Sequence, residues 1–385
     1  MIEIKQVSSR KQRKQFVEFP LELYKSNENF VPPLYADEMA IFKSDYFYND
    51  QAKSVFFLAY RDGKVVGRIQ GILQIAANEK WNQKRVRFTR FDAINDQEVA
   101  DALLQAVENW GKSLQMTEIV GPLGYSDLER EGLLIEGFEH LATFEEQYNH
   151  PYYQALIENY GYQKDVDWLE HQVRMPVGKE KEIERIKKMS ARMMERYNLH
   201  FGTAKNTAQF VKKYAGKIFD VWDEAYSNIY GCVPFTDKVK KQMLEQFKLV
   251  IDMRFIQVIL DENEDLVAFG FAFPSIAKAV QKSGGRLTIP CLFRLLKAIK
   301  NPKVLDLAIV GVVDKYRNKG VSMNLFAMIF TMMEHGIDYL ETNLNLEDNH
   351  PILNMWKSFD TVQHKRRRCY IKKLVDDNTT TTVAE

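Results

Sequence analysis

The stretch 305–330, LDLAIVGVVDKYRNKGVSMNLFAMIF, carries the densest structural signal in this sequence. It opens with apolar residues typical of a buried strand, passes through a polar turn, and continues at once as a helix. A turn that opens a helix presents backbone N–H groups without intrahelical partners, and the helix dipole adds positive charge there. Gly320 lets a ligand approach the backbone, and Arg317 and Lys319 add cationic charge. The pattern predicts a site for a phosphate-bearing anion.

This strand, turn and helix resemble the acyl-CoA signature V-x-P-x-x-R-x-x-G-x-G/A of the GNAT acyltransferase superfamily. Val312, Arg317 and Gly320 match the signature, whereas Asp314 replaces its proline and Ser322 its last small residue. The resemblance implies that the turn holds the CoA pyrophosphate and that the strand end pairs with the pantetheine arm. The implied pyrophosphate residues are Arg317, Asn318, Lys319, Gly320, Val321 and Ser322, and the implied pantetheine residues are Val312 and Val313.

The resemblance also points to candidate catalytic residues. Many GNAT enzymes carry a carboxylate six residues before the valine, and Asp306 stands there. Asp306 is therefore the predicted base, with the exposed start of a strand as the alternative interpretation. Asn349, in the following NHPILNMW segment, is expected to contact CoA or to cap a helix. Trp356 stands where the family has a proton-donating tyrosine, and an indole N–H cannot act as an acid near neutral pH.

The two halves of the chain repeat each other weakly. Three pairs of matching segments contain Tyr24 and Tyr226, Val66 and Val267, and Asn149 and Asn349, at separations of 202, 201 and 200 residues. A nearly constant separation predicts a diverged duplication. The predicted fold class is α/β (α+β), with tandem GNAT-like domains that each have a mixed, mostly antiparallel central sheet flanked by helices.

The predicted domain map follows from this repeat. It comprises a degenerate GNAT-like domain at 1–178, a charged linker helix at 179–198, a domain with the acyl-CoA motif at 199–375, and a disordered tail at 376–385. The first half has neither Gly nor Arg in the corresponding turn, where Asp92, Asp96 and Glu98 would repel a pyrophosphate. One CoA site per chain is therefore expected.

Composition narrows the class of partner. The 53 basic and 52 acidic residues nearly cancel, which argues against a general binder of nucleic acid. The three cysteines are widely separated, which fits a reducing cytoplasm and no structural zinc site. The sequence has no apolar run of the roughly 18 residues that span a bilayer. We expect a cytoplasmic protein without a metal or a membrane partner, and nothing in the sequence indicates its oligomeric state.

The resulting hypothesis is an acyl-CoA-dependent N-acyltransferase, most simply one that moves acetyl from acetyl-CoA to a small-molecule or peptide amine. Two alternatives are a non-catalytic tandem binding protein and an aminoacyl-tRNA-dependent transferase, which the basic run HKRRR at 364–368 would serve.

Three further segments allow two interpretations each. The run 364–368 is also compatible with a contact to the CoA 3′-phosphate or with a charged edge strand. Segment 121–138 fits a cation-recognising acceptor site or a loop of solvated acids. Segment 275–303 fits a surface helix packed on the core or a lid over an acceptor pocket.

Overall fold

The computed structural model describes residues 1–247, 250–317 and 319–374, so the candidate Asn318 and the predicted tail at 376–385 lie outside the described residues. The chain divides into two compact units. The first unit contains Met1–Trp168, Val280–Leu287 and the chain from Lys365 onward. The second unit contains Leu169–Ala279 and Thr288–His364.

The elements alternate between strands and helices along the chain. The strands are β1 (Glu3–Gln6), β2 (Ala52–Arg61), β3 (Lys64–Gln74), β4 (Arg85–Ala93), β5 (Glu118–Gly121), β6 (Leu133–Glu136), β7 (Gln163–Arg174), β8 (His200–Phe201), β9 (Ile256–Leu260), β10 (Leu266–Pro274), β11 (Val304–Val312), β12 (Tyr339–Thr342), β13 (Asn345–Leu346) and β14 (Asp360–Lys373). The helices are α1 (Arg10–Leu23), α2 (Tyr35–Ala40), α3 (Ile75–Lys80), α4 (Gln97–Ser113), α5 (Tyr152–Asn159), α6 (Glu180–Arg196), α7 (Thr207–Tyr226), α8 (Asp237–Phe247), α9 (Ala277–Gln281), α10 (Ile289–Lys300), α11 (Asp314–Arg317), α12 (Ser322–Met333) and α13 (His350–Trp356).

The first unit is built on a mixed sheet. Its strand order is β1-β2-β3-β4-β5-β14, and β6 also pairs with β14. Strands β4 and β5 run parallel, whereas β1–β2, β2–β3, β3–β4, β5–β14 and β6–β14 are antiparallel. The β2–β3 hairpin turns at Asp62 and Gly63, whose φ angles of 51° and 75° suit the type I′ turn that the sequence predicts. Helix α4 packs its apolar side on this sheet through Leu103, Leu104 and Val107.

The second unit repeats this arrangement. Its strand order is β7-β12-β11-β10-β9-β8, β13 also pairs with β7, and β11 and β12 form the parallel pair. A bulge in β11 moves the register with β10 from Ala272↔Leu307 to Phe271↔Ile309. Because a bulge shifts the two-residue alternation, Leu305 and Leu307 before it and Val310 and Val312 after it all belong to the α12 core.

The last strand of each sheet does not follow the predicted boundaries. Residues 169–174 of β7 were expected in the first domain and lie in the second unit, whereas the part of β14 from Lys365 onward belongs to the first unit. Helix α6, expected to be a linker, lies in the second unit, where its Met194 is buried and its Lys187 Nζ donates to Glu334 of α12 at 2.6 Å. The domain map of 1–178, 179–198 and 199–375 therefore stays a prediction about which segments fold independently.

Candidate functional site

The parallel strands of the second unit separate half-way along β11. They pair from Val304↔Tyr339 to Leu307↔Thr342, where β12 ends, while β11 continues to Val312. Beyond that point, side chains donate hydrogen bonds to the β11 backbone. Asn343 Nδ2 donates to Ala308 O at 2.8 Å, and the Tyr226 hydroxyl donates to Val310 O at 2.9 Å. A gap therefore opens along the second half of β11.

Alternation along β11 decides which backbone groups face the gap. The Val313 N–H donates to Val267 O at 3.0 Å and therefore points toward β10. Val310 O points the other way, and residues two apart in a strand share their direction. Val312, one of the two predicted pantetheine residues, thus turns its backbone toward the gap, whereas the Val313 N–H is already used in the sheet.

The gap leads to the turn before α12. Gly320 has a φ of 77°, a left-handed conformation that favours glycine, and a Cβ there would lie 3.3 Å from Met193 Sδ. The N–H group of Met323 bonds to Gly320 O at 3.0 Å, and that of Asn324 bonds to Val321 O at 2.9 Å. The amides of Gly320, Val321 and Ser322 lie before these two residues, at the positive end of α12. The turn therefore lies where a helix favours an anion, and its role as the pyrophosphate site stays a prediction.

The predicted cationic residues lie beside this turn and have protein partners. Arg317 contacts Asp314 Oδ1 at 2.9 Å and donates to Ala225 O at 2.9 Å, which attaches the turn to the end of α7. The Asp314 N–H donates to the Glu224 carboxylate at 2.8 Å. The Lys319 ammonium lies 5.2 Å from the ring centre of Tyr316. Arg317 therefore supports the shape of the turn in addition to its charge.

Asp306 lies at the closed end of the gap. It pairs in register with Glu341 of β12 and Phe273 of β10, and only 8% of its surface is exposed. The alternative interpretation, an exposed strand start, is therefore wrong. Because paired residues of neighbouring strands share a face and the strands lie about 4.8 Å apart, the side chains of Asp306 and Glu341 are neighbours.

A buried histidine completes this acidic pair, and sequence reasoning missed it as a functional residue. His364 Nε2 lies 2.7 Å from Glu341 Oε2, and His364 Nδ1 lies 3.1 Å from Glu170 O. A carbonyl oxygen only accepts, so Nδ1 carries a proton. Nε2 of the same ring therefore faces the Glu341 carboxyl group. Asp306 thus lies next to a carboxyl group that is in contact with a buried histidine.

The neighbouring His171 is kept neutral. Burial, assisted by the nearby His364, lowers the pKa of His171 to about 4. Gln172 Nε2 donates to the other carboxyl oxygen of Glu341 at 3.0 Å, which orients that side chain. No sequence motif marks His171 or His364, since their proximity depends on strands that are far apart in the chain.

The two residues taken from the downstream family motif differ in outcome. Trp356 is buried in the α12 core and its indole N–H donates to Asn345 Oδ1 at 2.8 Å, so it has no access to a reacting group. Asn349 occupies the N-cap position of α13, but its side chain makes no capping hydrogen bond there. The capping interpretation of its side chain is therefore wrong, and its contact with CoA stays a prediction.

The corresponding gap of the first unit is filled by its own side chains. Strands β4 and β5 also pair over three residues and then separate. Tyr152 Oη donates to Ala93 O at 2.8 Å, and the Ala93 N–H donates to Tyr153 Oη at 3.0 Å. Asp96 accepts from the Val99 N–H at 3.2 Å and pairs with Arg61 at 2.7 Å. The start of α4 already holds a carboxylate, which agrees with the expectation of one CoA site.

Two charged segments contain buried side chains. Glu131 is buried, and burial raises the pKa of both Glu129 and Glu131, whereas Glu136 is exposed, so the interpretation of 121–138 as a loop of solvated acids holds for only part of the segment. The basic run 364–368 lies on β14, the last strand in the order of the first unit, where residues 366–368 pair with β6. Lys365 and Arg367 are buried, and Arg368 contacts Asp167 at 2.8 Å. This run therefore offers little surface to RNA or to a CoA phosphate.

Residues 1–247, 250–317 and 319–374 contain no cluster of His, Cys, Asp or Glu side chains suited to a metal ion. Within the same part of the chain, none of the helices is both long and apolar enough to cross a membrane.

Comparisons with known proteins agree with this architecture. A scan against descriptions of protein families finds no match. The chain is 26% identical over 376 residues to Protein YghO of Escherichia coli (strain K12), covering 94% of this chain and 93% of that protein. It is 25% identical over 377 residues to the bacterial ceramide synthase of Caulobacter vibrioides (strain NA1000 / CB15N), covering 94% of each. A solved tandem GNAT protein from the clavulanic acid biosynthesis pathway superimposes with a TM-score of 0.55 at 12% identity, covering 98% of this chain and 100% of that one. The last likeness concerns the fold alone.

Proposed function

We propose that this chain, which has the fold of a tandem GNAT protein, is an acyl-CoA-dependent N-acyltransferase whose site lies in the second unit. The observation that carries the proposal is the gap beside β11, which runs from the buried Asp306 to the Gly320 turn at the start of α12. It combines an anion cradle, which we place at that turn, a strand that extends beyond its parallel neighbour, and a buried carboxylate in one unit.

The donor side of this gap fits an acyl-CoA. The amides of Gly320, Val321 and Ser322 would receive the pyrophosphate, and the Val312 backbone would pair with the pantetheine arm. The thioester supplies an activated acyl group. Glu224 already accepts from the Asp314 amide, so the pyrophosphate site is expected to lie on the α12 side of the turn.

The acceptor side fits an amine. Asp306 would take the first proton from the ammonium group and release it to water. The neutral amine would then attack the thioester, and the nitrogen loses a second proton as the C–N bond forms and the C–S bond breaks. The leaving thiolate needs a proton, and Trp356 cannot donate one. The Glu341–His364 pair beside Asp306 would relay the second proton from the nitrogen to the thiolate. An ammonium and a thioester thus give an amide, a thiol and one proton released to water.

The surroundings of Asp306 favour an acceptor with an apolar chain. Phe273 pairs with Asp306 on the same face, Phe271 follows on β10, and the Phe247 ring stacks on Phe273 at 5.3 Å. The relative named bacterial ceramide synthase is 25% identical over 94% of this chain, and a ceramide is an N-acylated long-chain amino alcohol. We therefore extend the acetyl donor and small amine expected from the sequence to long-chain acyl-CoA and a long-chain amine.

The test is an acceptor and donor panel with the full chain. Acetyl-CoA and palmitoyl-CoA are each combined with ethanolamine or sphinganine, which share an amino alcohol head and differ in the chain. The amide is detected by mass spectrometry. We expect product with sphinganine and at least tenfold less with ethanolamine. Equal rates would refute the apolar acceptor, and CoA binding without product from any amine would favour the non-catalytic binding protein that Trp356 suggests.

A matched pair of variants tests the role of Asp306. Asp306→Asn retains the shape but loses the basicity, so turnover should fall at least a hundredfold while CoA binding is retained. Asp338→Asn, at an exposed carboxylate before β12, should leave both unchanged. Hydroxylamine is uncharged at neutral pH and needs no deprotonation, so it should be acylated by both variants at similar rates. Failure of that rescue would show that Asp306 does not act as the base.

A further inference from the structure

Helix α10 exposes a continuous apolar face. Ile289, Leu292, Phe293 and Leu296 follow the helical spacing i, i+3, i+4, i+7 and therefore lie on one side. They are 72%, 46%, 70% and 64% exposed. The interpretation of segment 275–303 as a helix packed on the core does not account for this, because such a helix would bury these residues; the lid interpretation stays a prediction.

The orientation of α10 is held from its other side. Cys291 is fully buried, and its Sγ contacts Ala279 O at 3.5 Å. Thr288 caps the first turn, and Arg254 donates to Ile299 O at 3.1 Å at the last turn. The buried side of α10 at Cys291 and its last turn are thus attached to other segments of the second unit, and the apolar face lies on the exposed side.

The charge of this helix is of one sign. Positions 288–303 contain Arg294, Lys297, Lys300 and Lys303 and no acidic residue. Lys297 and Lys300 are exposed at the C-terminal end of the apolar face. An apolar face bordered by lysines is the pattern of helices that lie in the interface of an anionic bilayer.

We propose that α10 docks on the surface of an anionic lipid bilayer, with Phe293 and its apolar neighbours inserted at the boundary between head groups and acyl chains. At 12 residues α10 is about 18 Å long, too short to cross the roughly 30 Å hydrocarbon core. The proposal revises the expectation of no membrane partner, because the sequence did not reveal which side of the helix is exposed. It is independent of the proposed acyl transfer.

The positive charge of α10 favours a bilayer, rather than a second copy of this chain, as the partner that covers its apolar face. Two copies meeting through α10 would leave Arg294, Lys297 and Lys300 without an acidic partner on this helix, and two surfaces of like net charge oppose association. An anionic surface neutralises the same residues, and each basic side chain near such a membrane strengthens binding about fivefold.

Vesicle flotation tests the apolar face. The full chain is mixed with phosphatidylcholine vesicles that contain or lack phosphatidylserine, and the floating fraction is measured. We expect flotation with phosphatidylserine and at least a tenfold weaker affinity for Phe293→Glu/Leu296→Glu. Val177→Glu replaces one apolar side chain, 93% exposed and outside α10, by glutamate and should bind like the wild type. Circular dichroism establishes that the variants fold.

A second pair of variants tests the charge, and light scattering tests self-association. Lys297→Glu/Lys300→Glu should lose the dependence on phosphatidylserine, whereas Lys181→Glu/Lys188→Glu on α6 should retain it. The proposal is overturned by absence of wild-type flotation or by an equal loss in the controls. It is also overturned if Phe293→Glu/Leu296→Glu converts a lipid-free dimer into a monomer, since a second copy would then occupy the face.

Discussion

Replacing Gly320 with aspartate separates ligand binding from folding. The carboxylate would stand at the cradle, where unit like charges about 4 Å apart repel by about 4 kcal/mol at an effective dielectric of 20. That is close to a thousandfold in Kd. The left-handed backbone adds roughly 1–2 kcal/mol of cost with or without ligand, and the new Cβ meets only the flexible Met193 Sδ at 3.3 Å.

Thermal unfolding with acetyl-CoA measures the difference. A ligand at 100 times its Kd stabilises by about 2.7 kcal/mol, which raises Tm by roughly 5–10 °C for a domain of 150–250 residues. After a thousandfold loss of affinity the same concentration gives no measurable shift. Gly336→Asp is the matched control: its φ is 78°, and a Cβ there meets nothing within 4 Å. It should lower Tm without ligand by a similar amount and retain the ligand-induced rise.

Gly320→Ala separates the effect of backbone strain on ligand binding from the effect of the negative charge. It carries the same backbone cost without the negative charge and should keep part of the ligand-induced shift. An equal ligand-induced shift in Gly320→Asp and Gly336→Asp would refute the assignment of this turn as the pyrophosphate site. A wild type that shows no shift with millimolar acetyl-CoA or palmitoyl-CoA would refute the proposed CoA site itself.

Three further predictions concern both units. Calorimetry should give one CoA per chain, unchanged in Asp96→Asn, because the start of α4 already holds its own carboxylate; a stoichiometry of two would contradict this. Burial opposes ionisation of Glu38, but Arg90 and Arg68 hold its pKa at about 2. Glu38→Gln should therefore lower the free energy of unfolding, measured with urea, by about 3–5 kcal/mol. Glu22→Gln, at an exposed position, should leave that free energy almost unchanged. The pKa of His171 falls from 6.5 to about 4 on folding, so the unfolded chain binds more protons between these values and stability should decline as the pH drops from 6.5 to 4. His171→Gln should flatten that decline and His200→Gln, at an exposed position, should not; an unchanged profile in His171→Gln would refute the assignment.

Local features were predictable from the sequence because their causes act over a few residues. The Asp62-Gly63 turn, the Asp96 cap of α4, and the succession of β11, Gly320 turn and α12 all follow from turn chemistry and apolar periodicity. The repeat at about 200 residues likewise predicted two similar units, and their strand orders correspond. The tandem GNAT fold could therefore be predicted from the sequence.

The candidate site was only partly predictable. Asp306 was found from its spacing to Val312, but its partner Glu341 comes from β12 and His364 from β14. His364 meets Glu170 across 194 residues of sequence, and no local pattern encodes that contact. The neighbours of Asp306 could be identified only from the sheet register, which is set by long-range packing.

Tertiary structure alone decided which strand closes each sheet and which side chains are buried. Backbone hydrogen bonds between strands are chemically the same for any pair, so the sequences of β7 and β14 did not reveal which sheet each would complete. The same uncertainty concerned Arg367, which is buried although the sequence allowed a phosphate contact or a charged edge strand, and Phe293, which is exposed although the sequence allowed a helix packed on the core or a lid. Apolar and charged periodicity identifies the two sides of an element, but only packing against the rest of the chain determines which side meets solvent.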